Sequence, residues 1–153
     1  MTSPTHQSGT DRLAQAAKIL NLPDETIVIN LQGDEPAINP TLLDDLASAL
    51  ANTTAAAATI AHPITQQEDL HNPNVVKTVL NAKNEALYFS RSLIPYMRSK
   101  GIQLPVLRHI GMYAYRAHLL KRYTQLQVSP LEQSEMLEQL RLLWHLSLIH
   151  ISE

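Results

Sequence analysis

Cysteine is absent from the 153 residues. That excludes disulfides, thiolate metal sites and a cysteine nucleophile. An excess of either charge is also missing: 12 Lys and Arg stand against 14 Asp and Glu, a net charge of −2 with histidine neutral. This balance offers no basic face for nucleic acid, and no run of like charge marks a tail. No apolar run approaches the ~18 residues of a membrane span. The opening residues, Met1-Thr2-Ser3-Pro4-Thr5-His6-Gln7, lack the basic and apolar regions of a signal peptide. A soluble, cytoplasmic protein is the default expectation. Five histidines (His62, His71, His118, His145, His150) form no i, i+4 pair with an adjacent carboxylate, so no zinc site is expected.

What is present reads as one globular domain. The apolar fraction of 44% against 17% charged residues is enough for a core and too apolar for disorder. The run Ile27 to Leu31 has the apolar, β-branched character of a short strand buried on both faces. It ends in Gln32-Gly33-Asp34-Glu35-Pro36, where Gly33 permits a turn and Pro36 blocks further ladder pairing. Asp34 and Glu35 therefore sit just past the carboxyl end of a strand, where open α/β sheets bind ligands. A carboxylate there suits Mg²⁺, and it equally suits a solvated turn.

Helices are expected over 12–20 (Leu13, Ala16, Ala17 and Leu20 on one face), from Pro40 (Leu42, Leu43, Leu46, Leu50), over 117–126 and over 131–145 (Leu137, Leu140, Leu143, Trp144). Strands are expected over 55–61, over 75–80 and 86–89 as a hairpin around Asn81-Ala82-Lys83-Asn84, and over 108–115. In the last of these, period-2 alternation puts His109, Gly111, Tyr113 and Tyr115 on one face. Strands alternating with helices imply an α/β fold with a mixed, mostly parallel sheet.

Four stretches carry a resemblance as a set: His6-Gln7-Ser8-Gly9-Thr10-Asp11-Arg12; Leu31 to Pro36; Ala86-Leu87-Tyr88-Phe89-Ser90-Arg91; and Arg108 to Arg116 with Pro130-Leu131-Glu132 and Glu135-Met136-Leu137-Glu138-Gln139-Leu140-Arg141. In this order and spacing the chain resembles the 3-deoxy-manno-octulosonate cytidylyltransferases, or CMP-Kdo synthetases, from about His6 to Trp144. The resemblance implies a nucleotide-diphospho-sugar-transferase-type α/β domain, usually a homodimer, that uses Mg²⁺. It would couple CTP and the sugar acid Kdo to give CMP-Kdo and pyrophosphate for lipopolysaccharide biosynthesis.

The same resemblance implies residue roles. Asp34 becomes the catalytic Mg²⁺ ligand, with Glu35 solvated. Gln32, two residues earlier and on the same side in extended geometry, falls to Kdo. Arg91 falls to the Kdo carboxylate, which a guanidinium grips bidentately. His109 and Tyr113 fall to sugar hydroxyls. Glu135 and Gln139, four apart on one helical face, belong to the helix over Kdo. Ser8, Gly9, Thr10, Asp11 and Arg12 form the nucleotide-side loop. Alternative readings are a cytidylyltransferase for another sugar acid, such as sialic acid, and a non-catalytic α/β module that only dimerises or binds.

Two family features have no counterpart here. One is an opening strand with a loop rich in Arg, Ser, Gly and Lys that grips the CTP phosphates. The other is a Val-Asp-Thr-Pro-like segment whose Asp completes the metal site. Residues 145–153, His145 to Glu153, match nothing in the family and read as a tail produced by out-of-frame or adapter sequence. The expectation is a fragment: a partial cytidylyltransferase domain over 1–144, with an unpaired sheet edge, weak CTP binding and little turnover. Pyrophosphate release with CTP, Kdo and Mg²⁺ checks this, and robust turnover by the 153-residue chain contradicts it.

Overall fold

The computed structural model describes residues 2, 9–31, 39–99, 101 and 104–152. In chain order its elements are α1 (Gly9–Ile19), β1 (Ile27–Asn30), α2 (Pro40–Ala51), β2 (Ala57–Pro63), the single turn α3 (Gln67–Leu70), β3 (Lys77–Leu80), β4 (Ala86–Ser90), β5 (Leu107–Arg116), α4 (Ala117–Tyr123), α5 (Pro130–Glu135), α6 (Gln139–Trp144) and β6 (Ile149–Ser152). The strands form one mixed sheet, ordered β4-β3-β5-β2-β6, with β1 also on β5.

Strand β5 is the axis of the sheet. Strand β2 runs antiparallel along one edge, from Ala57 opposite Tyr115 to Pro63 opposite Leu107. The other edge is shared. Strand β1 takes its carboxyl half, with Asn30 opposite Tyr113, and β3 takes its start, with Lys77 opposite Arg108. Between them, on this edge and among the described residues, no strand pairs with residues 110–112 of β5, a gap that begins after the His109 amide's bond to the Val76 carbonyl at 2.9 Å. The expectation of a mostly parallel sheet is corrected here. Only β2 and β6 pair in parallel, and β1–β5, β2–β5, β3–β4 and β3–β5 are all antiparallel. Strands β1 and β2 do run in the same direction, as the α2 crossover between them requires, but β5 lies between them and turns both contacts antiparallel. Strand β1 is likewise not buried on both faces. Among the described residues it pairs on one side only and is half-buried throughout.

Two cores lie on opposite faces of the sheet. On one, Leu46 and Leu50 of α2 pack on Ala55, Ala58, Met112 and Ala114. Leu43 packs at the margin of this cluster, whereas Leu42 is exposed. Asn39 caps α2 by accepting a hydrogen bond from the Thr41 amide at 3.1 Å, with Pro40 in the first turn. On the other face, α1 (Ala14, Ala17), α4 (Leu119, Leu120, Tyr123) and α6 (Leu140, Leu142) cover Ala57, Phe89, Tyr113, Tyr115, Ile149 and Ile151. The β3–β4 hairpin forms as expected. The Asn81 side chain accepts from the amides of Lys83 and Glu85 at 2.8 and 3.0 Å, and Asn84 takes the left-handed conformation. Residues expected to be a tail include β6, which pairs with β2 over four residues and buries Ile149 and Ile151.

The helix expected over 131–145 is two helices. Met136 turns left-handed, at φ 53°, and the chain restarts at Gln139. A non-glycine residue in that conformation is unfavourable by about 1–2 kcal/mol, so tertiary bonds must impose it. They come from β4: the Arg91 Nε donates to the Glu135 carbonyl at 2.7 Å, and the Glu135 carboxylate accepts from Ser90 Oγ and the Arg91 amide at 2.7 and 3.0 Å. The break resets the helical phase. Leu142 and Arg141 turn inward and Trp144 turns out.

Arg141 is bidentate to Glu132, at 2.7 and 2.8 Å, and lies 4.5 Å from the centre of the Tyr123 ring. Glu132 also closes a capping box with Ser129. Both charges are largely buried, so removing one strands the other. Glu132→Ala should destabilise the fold by about 3 kcal/mol. The double variant Glu132→Leu/Arg141→Leu should lose less than the sum of its two single variants. Urea unfolding of the four proteins checks both.

Candidate functional site

The gap along β5 opens into a cleft of about 430 Å³, within the range of small-ligand pockets. Its floor is the β5 face carrying His109, Gly111, Tyr113 and Tyr115, and Gly111 leaves the floor without a side chain there. The walls come from distant parts of the chain: Gly9 and Thr10 of α1, Asn30 at the end of β1, Asn74 and Val76 before β3, Arg91 after β4, and Met136 to Gln139 at the α5–α6 elbow. Tyr123 of α4 lies at the back.

The floor is shaped by an irregularity in the ladder. Thr59 pairs with Tyr113 and Ile60 with Ile110, so Gly111 and Met112 have no partners on β2. The Thr59 hydroxyl occupies this break, 2.6 Å from the Met112 carbonyl, 3.0 Å from the Ile110 carbonyl and 3.0 Å from His109 Nε2. A hydroxyl has one proton, and two carbonyls compete for it. His109 Nε2 must then be the donor towards Thr59, which leaves Nδ1 as the acceptor. The ring stacks edge-on to Phe89 and against Tyr113, with centroids 5.0 and 5.4 Å away. Burial pushes its pKa down to about 3. His109 is therefore a neutral hydrogen-bonding group at physiological pH and not a proton carrier.

Tyr113 and Tyr123 are 6% and 1% exposed, and among the described residues neither buried phenol hydroxyl has a partner within hydrogen-bond distance, although Thr59 lies close enough to Tyr113 to act on its phenol. Burial pushes both pKa values up, so both phenols stay protonated and can donate. Arg91 commits three of its N–H groups to backbone carbonyls: Nε to Glu135 at 2.7 Å, Nη1 to Pro73 at 2.8 Å and Nη2 to Met136 at 3.4 Å. Among the described residues, no carboxylate forms an ion pair with its guanidinium. Arg108, near it, has only a long pair with Asp69 at 3.8 Å. At the opposite wall, Thr10 donates to Glu138 at 3.0 Å and ties α1 to the elbow. The cleft thus joins cationic groups at one end to phenol donors and an imidazole acceptor along its floor. That arrangement suits a polyhydroxylated anion.

Of the residues expected from sequence, Gly9, Thr10, Arg91, His109, Tyr113 and Gln139 line this one cleft. Glu135 does not. The expected helical face shared with Gln139 is broken at Met136, and the Glu135 carboxylate points back to Ser90 and Arg91. Arg12 is exposed on α1, and Asp11, half-buried, acts on the charges of Tyr123 and Arg141. Ser8, Gln32 and Asp34 lie outside the described residues. Asn74, Arg108 and Tyr123 were not anticipated as wall residues. Only Tyr115 had a signal in sequence, the alternation it shares with His109.

The chain matches the family model described as cytidylyltransferase over residues 1–149. It is 52% identical to the 3-deoxy-manno-octulosonate cytidylyltransferase of Neisseria meningitidis serogroup A over 95% of its own length, and 48% identical to that of Tolumonas auensis over 99%. It spans 60% and 62% of those relatives. Among solved structures it is similar to CMP:2-keto-3-deoxy-manno-octonic acid synthetase complexed with CTP. There the TM-score is 0.89 at 42% identity, covering all of this chain and 62% of the other.

The neutral His109 has a consequence for stability. The unfolded histidine takes up a proton near pH 6.5, while the folded one resists until about pH 3. Stability contributed by the uncharged ring is complete above pH 6.5 and is lost as pH falls below it, by up to roughly 1.4 kcal/mol per pH unit. Between pH 6.5 and 4.5 the urea midpoint should therefore drop, and His109→Gln should flatten this part of the drop.

Proposed function

The chain belongs to the cytidylyltransferase family, and we propose that its sequence forms the sugar-acid side of a 3-deoxy-manno-octulosonate cytidylyltransferase. The observation that carries the reading is the convergence of Arg91, His109, Tyr113 and Gln139, from three separate segments, on one cleft. The relatives' names supply the substrate class, CTP and Kdo, and the product would be CMP-Kdo for lipopolysaccharide assembly. A homodimer and a cytoplasmic location are part of the same reading. Among the described residues, no helix is long and apolar enough to cross a membrane.

The reaction is nucleotidyl transfer: a sugar hydroxyl attacks the α-phosphorus of CTP and pyrophosphate leaves. Such a step depends on holding the hydroxyl in line and on neutralising phosphate charge. The Kdo carboxylate would meet Arg91 and Arg108, the cationic wall of the cleft among the described residues. His109 Nδ1 would accept from a sugar hydroxyl, and the Tyr113 phenol would donate to another. With a pKa near 3, His109 orients a hydroxyl and is too weak a base to take its proton.

Mg²⁺ belongs to this proposal through Asp34. Among the described residues, no three carboxylates or histidines converge, so those residues alone do not make a magnesium site. Asp34 is four residues beyond Asn30, which lines the cleft, and four residues span at most about 14 Å. A carboxylate can thus reach the cleft from the end of β1. When bound there, the ion supplies charge neutralisation at the phosphoryl oxygens.

Two measurements test the reading. Kdo should shift the NMR signals of His109, Tyr113 and Gln139 in a saturable way. Shifts produced by N-acetylneuraminate and not by Kdo would instead favour a sialic acid enzyme. In an enzyme containing this sequence, Asp34→Asn should lower Kdo-dependent pyrophosphate release by about two orders of magnitude or more. An unaffected rate would remove Asp34 from the mechanism.

A further inference from the structure

Lys77 is fully buried in β3, and nothing in the reaction above uses it. Its ammonium donates to three backbone carbonyls: Asn72 at 2.9 Å, Val75 at 2.7 Å and Arg91 at 2.8 Å. A lysine has three N–H donors, so all are spent. Among the described residues, no carboxylate forms an ion pair with it. Burying a charge in this way is unfavourable unless its hydrogen bonds are met, and here they join separate segments. Without the ammonium three carbonyls would lose this donor, so its place is set by the segments it ties together.

The three carbonyls explain its place. Two belong to the 72–75 turn, which carries Asn74 into the cleft. The third belongs to Arg91 itself. The same turn holds the other end of Arg91, whose Nη1 donates to the Pro73 carbonyl at 2.8 Å. The Arg91 amide is held by the Glu135 carboxylate and its Nε by the Glu135 carbonyl. Arg91 is thus fixed at its amide, its carbonyl and its guanidinium. Because, among the described residues, its charge is met by carbonyls and not by a carboxylate, it remains available to an anion.

We propose that Lys77 is a positioning residue for anion recognition: by fastening the 72–75 turn to the Arg91 carbonyl, it sets where the Arg91 guanidinium meets a ligand carboxylate. The proposal deepens the sugar-acid reading of the cleft and rests on it.

The test uses the 153-residue chain with Lys77→Met and Lys77→Arg, and two readouts. The first is hydrogen exchange at the Arg91 Nε–H, followed by NMR. It should quicken about fivefold or more in Lys77→Met, as one bracing bond is worth ~1 kcal/mol. The core amides of β2 and β5 should keep their protection. The second is the preference for Kdo over its neutral methyl ester, the ratio of their dissociation constants. A charge-assisted contact should make that preference about tenfold or more in the native chain. In Lys77→Met it should fall towards one, with ester affinity little changed.

Unchanged Arg91 exchange, or equal weakening of both ligands, would make Lys77 a fold staple and overturn the proposal. If Lys77→Met does not fold, Lys77→Arg decides. Its planar guanidinium cannot reproduce three diverging bonds, so both readouts should move part-way, and unchanged values overturn the proposal. If the native chain binds neither Kdo nor the ester, the sugar-acid reading fails, and Arg91 exchange alone then decides whether Lys77 positions Arg91.

Discussion

Strand β5 has two edges and three antiparallel partners. One edge is filled by β2, and the other must be divided between β3 and β1. Among the described residues neither of those strands pairs with residues 110–112, and the cleft lies along this stretch. Asn30 at the end of β1 and Asn74 in the turn entering β3 both line it, so polar groups from distant segments gather there. An open sheet places a ligand where strands part for the same reason: only there can side chains approach from several directions without breaking the ladder.

The gap leaves polar groups to be satisfied, and the chain meets this unequally. The irregular Thr59–Tyr113 register exposes carbonyls of β5, and the Thr59 hydroxyl fills that place while fixing the His109 tautomer. Around the rim, Lys77 and Arg91 are held by carbonyl groups, the Glu135 carboxylate behind them is spent on Ser90 and the Arg91 backbone, and the Glu138 carboxylate at the opposite wall accepts from Thr10. At the Arg91 end the charge left over is therefore positive. Further in, the phenols of Tyr113 and Tyr123 have no partner within hydrogen-bond distance among the described residues. The floor therefore presents neutral donors and an acceptor, and the rim presents charge. That division matches a ligand with hydroxyls along its body and an acid at one end.

Much of this was legible in the sequence where the governing interactions are local. The hairpin over 75–89 follows from a β-branched run before Asn81 to Asn84 and an apolar, aromatic run after it, and it formed. Alternation over 108–115 correctly put His109, Gly111, Tyr113 and Tyr115 on one face, because period 2 holds whatever the neighbouring strands do. The same logic failed over 131–145. An apolar period of 3.6 runs through Met136, yet the Arg91 and Glu135 bonds from a strand more than forty residues earlier terminate the helix. Glu135 and Gln139 then stop sharing a face, and Trp144 is turned outwards. Strand direction was misread for a similar reason. The crossover through α2 makes β1 and β2 run alike, but no local pattern announces that β5 separates them.

The sequence by itself determined most of the strands and helices, from α1 to α4, and the face shared by His109, Gly111, Tyr113 and Tyr115. Those properties depend on backbone periodicity and on residues within a few positions of one another. Only the tertiary structure decided that Arg91 is held by carbonyls, that Glu135 braces it from behind, that Tyr123 and Arg108 join the cleft, and that Lys77 lies buried beneath the rim. Each of these is a pairing between groups far apart in the chain. A residue's own pattern states whether it must be buried or bonded, and only the fold supplies the partner.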